Sequence, residues 1–192
     1  DGYVENEPQL MDITVDKQGI ITVVQENNAT LYQYDQNGNL LGYFGGYGTG
    51  VGEFLDPVSL AVDADNTLYV LDKEQKSITV LTPTRYASLI HQAVSQYDRG
   101  EYEESLASWQ TVREMNENYD LGYSGIGDYL MKQESYKAAM DTYRLGNDKA
   151  GYSKAFSQYR HEFVRGSFGW VVLAIFVLAA GLGTALYFMK KT

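Results

Sequence analysis

Gly45-Gly46-Tyr47-Gly48-Thr49-Gly50-Val51-Gly52-Glu53-Phe54-Leu55-Asp56-Pro57 is the stretch on which the reading of this chain turns. Five of its first eight residues are glycine, so neither a helix nor a regular strand runs through it, and Phe54 and Pro57 close it. Before it, Ile13-Thr14-Val15-Asp16, a turn at Gly19 and Ile20-Ile21-Thr22-Val23 read as strand, turn and strand. Leu31-Tyr32-Gln33-Tyr34-Asp35 follows, then the turn Asp35-Gln36-Asn37-Gly38-Asn39 and a return strand, Leu40-Leu41-Gly42-Tyr43-Phe44. Asn-Gly takes positive φ readily, which suits a hairpin. After the glycines the pattern recurs. Val15-Asp16 maps to Val62-Asp63, Ile21 to Leu68 and Val23 to Val70, all at an offset of 47 residues.

A repeat of four short strands at this period is the mark of a propeller blade. The junction, with Leu68-Tyr69-Val70-Leu71-Asp72 and Ser77-Ile78-Thr79-Val80-Leu81, resembles the NHL-repeat family, whose blades join through a Gly-rich turn, a Phe and a Pro. The resemblance covers about 75 residues and implies that 1–83 are two blades of a truncated NHL-type β-propeller. Two blades cannot close a ring, so the others are expected before Asp1. Pro8-Gln9-Leu10-Met11 echoes Asp56-Pro57-Val58-Ser59, which sets Asp1 just inside a blade junction. The glycines do not read as a phosphate cradle: no Lys-Ser/Thr follows them, and the next element is a strand rather than a helix.

At Pro83 the apolar period changes from 2 to 3.6. Tyr86-Ala87, Leu89-Ile90, Ala93-Val94 and Tyr97 form a helical stripe, and Arg99-Gly100-Glu101-Tyr102 turns the chain into Ser105-Leu106, Trp109 and Val112. The pattern repeats at an offset of 34, with Tyr102 mapping to Tyr136, Ser105 to Ala139, Trp109 to Tyr143, Val112 to Gly146 and Ala93 to Gly127. This resembles the tetratricopeptide repeat, with two copies over 86–119 and 120–153 inside a helical region of 84–165 and a further helix from about Lys154 to Val164. Glu117 stands where the family often has a proline. The resemblance implies a peptide-binding groove, which by register carries Ile90, Val94, Tyr97, Asp98, Asp128, Met131 and Lys132. The Lys and Asn set with which the family clamps a C-terminal carboxylate is missing, so a packed spacer is the competing expectation.

From Gly166 to Met189 there are 24 uncharged residues, ended by Lys190-Lys191. At about 1.5 Å per residue such a helix crosses a ~30 Å hydrocarbon layer, and Trp170 and Tyr187 sit near its ends. Residues 166–189 are therefore expected to be a transmembrane helix, with 190–192 a basic cytoplasmic flank and the rest of the chain outside. Ala179, Gly181, Gly183 and Ala185 give small-xxx-small spacings that suit close packing of another membrane helix.

Charge is uneven. Residues 1–83 hold 13 acidic and 3 basic side chains, and 84–165 hold 12 and 10. An acidic half speaks against nucleic acid and against lying flat on anionic lipid. There is no cysteine, hence no disulfide and no thiolate metal site. His91 and His161 are the two histidines, and neither has a partner at ligand spacing. Asp16, Asp63 and Asp72 invite comparison with sugar lactonases, which share a related propeller and use carboxylates and Asn around a Ca²⁺-type site. Their places in the blade motif suit turn hydrogen bonds instead. Asn28-Ala29-Thr30 is a glycosylation sequon, without meaning in a bacterial source.

The expected architecture is multidomain, β then α: partial propeller, helical repeats, one span. It resembles Gram-positive bacterial membrane proteins in which an NHL propeller and tetratricopeptide repeats precede a Yip-like domain. No catalytic residue, metal or cofactor is expected. The expected role is a membrane-anchored binding or scaffold protein with protein partners at the cell surface. The alternatives are a lactonase-type propeller enzyme with its site mostly on other blades, and a structural stalk that positions membrane partners.

Overall fold

A computed structural model of the chain describes residues 9–189; Asp1–Pro8 and the basic flank 190–192 lie outside the described residues. The chain is a mixed β and α protein. Its elements are β1 (Leu10–Val15), β2 (Ile21–Gln25), β3 (Thr30–Tyr34), β4 (Leu40–Gly45), β5 (Pro57–Val62), β6 (Leu68–Asp72), β7 (Ser77–Leu81), α1 (Arg85–Asp98), α2 (Tyr102–Met115), α3 (Asp120–Lys132), α4 (Tyr136–Leu145) and α5 (Lys149–Met189). They form two compact units that divide within α3, after Ile126.

In the first unit β1-β2-β3-β4 is an antiparallel meander, and β5-β6-β7 is a second one. Alternating side chains give each sheet two apolar faces, and one face of each is buried against the other sheet. Val24 and Leu31 of the first sheet join Leu60, Leu68 and Val70 of the second in one core, with Phe54 of the junction among them. Residues one repeat apart fare oppositely. Val24 and Leu31 are 0% exposed, whereas Leu71 and Ile78, their partners at an offset of 47, are 43% and 62% exposed. Leu60 is buried, while its counterpart Ile13 is exposed. The sheets thus leave complementary apolar faces open on their outer sides.

The junction glycines are shaped by this core. Gly45 has φ +91°, and a β-carbon there would lie 2.9 Å from the Ala29 carbonyl oxygen and 3.2 Å from the Phe54 ring. The Phe54 amide donates to the Gly46 carbonyl at 2.9 Å, and the Gly48 amide donates to the Phe54 carbonyl at 3.0 Å. Polar bonds then set the register between sheets. Asp12 Oδ2 accepts from Ser59 Oγ and from the Leu60 amide, each at 2.8 Å. These bonds, the Leu60 amide foremost, hold the Asp12 carboxyl below its ordinary value.

The second sheet stops at three strands. The stretch where a fourth would fall, one repeat after β4, lies in α1. The reason is local. Thr84 caps the helix by accepting the Ala87 amide at 3.2 Å, and the apolar period beyond it is helical. α1 and α2 pair through small and polar side chains: Ser105 Oγ donates to the Ala93 carbonyl at 2.7 Å, and Ser108 Oγ to Gln96 Oε1 at 2.8 Å. Gly100, at φ +81°, makes the turn between them. Trp109 is buried, and its indole ring fills the space that a side chain at Gly125 would need. Tyr119 ties the helices to the first sheet, its hydroxyl donating to the Leu41 carbonyl at 2.7 Å.

In the second unit Tyr143, one 34-residue step from Trp109, is buried against Gly127 and Gly151 with Ala139 and Ala155 beside it. Its hydroxyl donates to Asp128 Oδ1 at 2.6 Å. α5 begins where Asp148 Oδ1 accepts the Gly151 amide at 2.8 Å. It then runs to Met189 as one helix of 41 residues. Sequence reading expects a helix from about Lys154 and a separate segment from Gly166. The two join because neither Gly166 nor Gly169 is followed by a proline, and an isolated glycine costs a helix only about 1 kcal/mol.

Replacing Trp109 by Ala should lower stability by about 3–5 kcal/mol in denaturant unfolding, as for other buried large-to-small changes. A loss below about 1 kcal/mol would show that the α2–α3 contact collapses onto the vacated space.

Candidate functional site

Within the first unit a cavity of about 770 Å³ lies between the sheets and α1. Its floor comes from a cross-strand row, Thr14, Thr22, Gln33 and Gly42, successive partners on β1 to β4. Such a row points one way, since side chains alternate along a strand. Thr14 and Thr22 are short, Gln33 is drawn aside into polar bonds, and Gly42 has no side chain; a β-carbon there would meet nothing within 4 Å. Sheet faces that interlock elsewhere through Val24, Leu31 and Val70 are therefore left unfilled here. The first turns of α1 close the space with Tyr86, Ile90 and His91.

His91 is 4% exposed, and its Nε2 lies 3.0 Å from Gln33 Oε1. Gln33 Nε2 donates in turn to Thr22 Oγ1 at 3.2 Å. That bond orients the carboxamide, so the imidazole N–H donates to its oxygen. Burial pushes the His91 pKa below its ordinary 6.5, against the pull of the nearby Asp16 carboxylate, so the ring is neutral.

Asp16 is another wall residue. Its Oδ1 accepts the amides of Gln18 at 2.8 Å and Ile20 at 2.9 Å, which closes the β1–β2 turn. Asp63, one repeat later, does the same for β5–β6, accepting from Asp65 at 2.8 Å and Thr67 at 2.9 Å. Asp72 is 0% exposed. Burial pushes its carboxyl up, but the amides of Gln75, Leu55 and Asp56 outweigh this and hold it below the ordinary value. These three aspartates are thus the knots of turns and junctions, and among them Asp16 alone lines the cavity. Among the described residues no group of three or more His, Cys, Asp or Glu is placed to hold a metal ion.

The positions expected to form a groove are distributed over both units. Ile90, Val94 and Tyr97 follow one face of α1; Ile90 and Val94 are buried, and Ile90 lines the cavity. Asp98 is exposed at the end of α1. On α3 of the second unit, Asp128 holds the Tyr143 hydroxyl, Met131 packs against the Ala139–Tyr143–Ala155 core, and Lys132 is exposed. Burial pushes the Asp128 carboxyl up. Gly181 is exposed in α5; the surroundings of Ala179, Gly183 and Ala185 lie outside the described residues. His161 is exposed on α5. What sequence reading missed is the role of His91. Its partner is a neutral amide 58 residues away, and no local spacing points to it.

The lowered pKa of His91 has a definite sign in stability. Below about 6.5 the unfolded chain takes up a proton that the folded chain resists, so this contribution is intact above pH 6.5 and is lost as pH falls through the folded value. The denaturant midpoint should therefore drop between pH 7.5 and pH 5, and the drop should shrink in His91→Gln. An unchanged pH slope in the variant would assign the effect to other groups.

A family model described as a 6-bladed beta-propeller, DUF5128, matches residues 9–166. The match covers both sheets and runs on through α1 to α4 into α5. No curated protein matches the chain. On the length of that match, the chain belongs to the 6-bladed beta-propeller family DUF5128.

Proposed function

We propose that the chain is a membrane-anchored recognition protein whose first unit binds a ligand in the cavity beneath α1 and whose α5 spans a bilayer. The observation that carries this reading is the outward-facing apolar surface of α5. Phe163, Phe168, Trp170, Ile175, Phe176 and Leu178 are each more than half exposed. So large a run of apolar side chains in water would be a strong liability, and a lipid environment removes it. The part Lys149–Leu178 is long and apolar enough to cross a membrane. Lys190 and Lys191, just after the apolar segment, favour a cytoplasmic C-terminal side with the sheets outside.

On this reading the two sheets are blade-like units of an NHL-type ring, α1 roofs the cavity beside them, and α1 to α4 are tetratricopeptide-like hairpins. The open outer faces, Ile13 and Val15 on one side and Leu71, Ile78 and Val80 on the other, suit further sheets of the same kind. Recognition rather than catalysis is favoured because His91 and Asp16 are each tied up by neighbours, while Asn66 Oδ1 in the same wall is buried without a partner, an acceptor left for a ligand. His91 is bonded to Gln33, and Asp16 is bonded to its own turn. No nucleophile with an adjacent base is assembled from them.

Fractionation tests the anchor. The full chain should stay with membranes through an alkaline carbonate wash, and deletion of 166–189 should move it to the soluble fraction. Release of the intact chain by carbonate would overturn the span.

A further inference from the structure

We propose that the cavity beneath α1 takes a small organic cation, a protonated amine on an aromatic or branched apolar body. The inference rests on reading the cavity as the recognition site and names the class of ligand.

The charge of the wall is one-sided. Asp16 and Glu53 line it, and among the described residues that do so there is no Lys or Arg. Asp16 is half-buried, while Glu53 is exposed and its Oε2 accepts the Gly50 amide at 2.8 Å, so a carboxylate or phosphate ligand would be repelled chiefly by Asp16 and would meet no compensating cation in the wall. A protonated amine gains from the same arrangement. The turn amides use Oδ1 of Asp16, but an ionised carboxylate has about four acceptor sites over two oxygens and keeps its charge whatever the amides take.

The remaining wall suits the rest of such a ligand. Phe44 and Tyr86 bring aromatic rings, whose faces attract cations as well as apolar groups. Leu68 and Ile90 complete an apolar side. His91 adds no positive charge at neutral pH, since its N–H is committed to Gln33 and burial keeps the ring neutral. The volume of about 770 Å³ lies within the usual range for small-molecule sites. The acidic excess of residues 1–83, 13 groups against 3, also draws cations toward this unit.

The test uses the full chain in nanodiscs of uncharged lipid and three probes of one shape: 2-phenylethylammonium, 2-phenylethanol and phenylacetate. Calorimetric titration should show the ammonium binding about ten-fold more tightly than the alcohol, with no heat from phenylacetate. Asp16→Asn keeps the turn acceptor and removes the charge. It should weaken the ammonium about ten-fold and leave the alcohol unchanged. Gly42→Leu places a side chain in open space within the cavity and should abolish binding of both while circular dichroism stays that of the parent. If the alcohol or phenylacetate binds as well as the ammonium and Gly42→Leu removes it, the cation class is wrong and the cavity reading stands. If no probe binds, or if Gly42→Leu leaves binding unchanged, both fall.

Discussion

Phe54 is buried completely in the core shared by the two sheets, and the order of the first unit follows from that burial. Removing an aromatic side chain of this size from water stabilises the folded state by about 2–3 kcal/mol. The ring can sit there only because the chain around it yields. Gly45 has no side chain to strike it, and the Gly46 and Gly48 backbone groups bond to the backbone of Phe54 itself. The glycine-rich junction and the aromatic residue are therefore one device, a flexible strap ending in an anchor. Asp12 then adds what a hydrophobic contact lacks, a fixed register, through its two bonds to Ser59 and Leu60.

The cavity is the other side of this arrangement. Large side chains fill the space between the sheets at Val24, Leu31 and Val70, and the row from Thr14 to Gly42 leaves it open. α1 is held across the opening by two polar contacts with the first sheet, one from His91 within the helix and one from Tyr119 behind it. Both reach groups that the sheet's own ladder leaves available, a side-chain amide and a carbonyl. Burial raises the Tyr119 hydroxyl pKa far above its ordinary value, so it remains a donor at any ordinary pH.

The strands were legible because alternation of apolar and polar residues is a local signal, strong in Ile20 to Val23 and in Leu68 to Asp72. The helical stripe from Tyr86 to Tyr97 was legible for the same reason, and it accounts for the missing fourth strand of the second sheet. The cavity was not legible. Its walls come from strands and a helix that meet only after the sheets have packed, and its defining feature is what Gly42 lacks. His91 looked partnerless because sequence spacing finds ligands on one helix or one hairpin, whereas Gln33 reaches it across the fold. Asp16 and Asp63 were placed correctly as turn residues because the bonds they make are to amides two and four positions away.

The unbroken course of α5 has a mechanical meaning. Its 41 residues make a rod about 60 Å long with no proline to act as a joint. An α-helix resists twisting about its own axis, because twist strains the hydrogen bonds of every successive turn. A rotation or a push applied at the apolar end is therefore carried along the helix toward Tyr152 and Ala155, which pack against Tyr143. Whatever grips the far end of this helix has a lever on the packing of the near end.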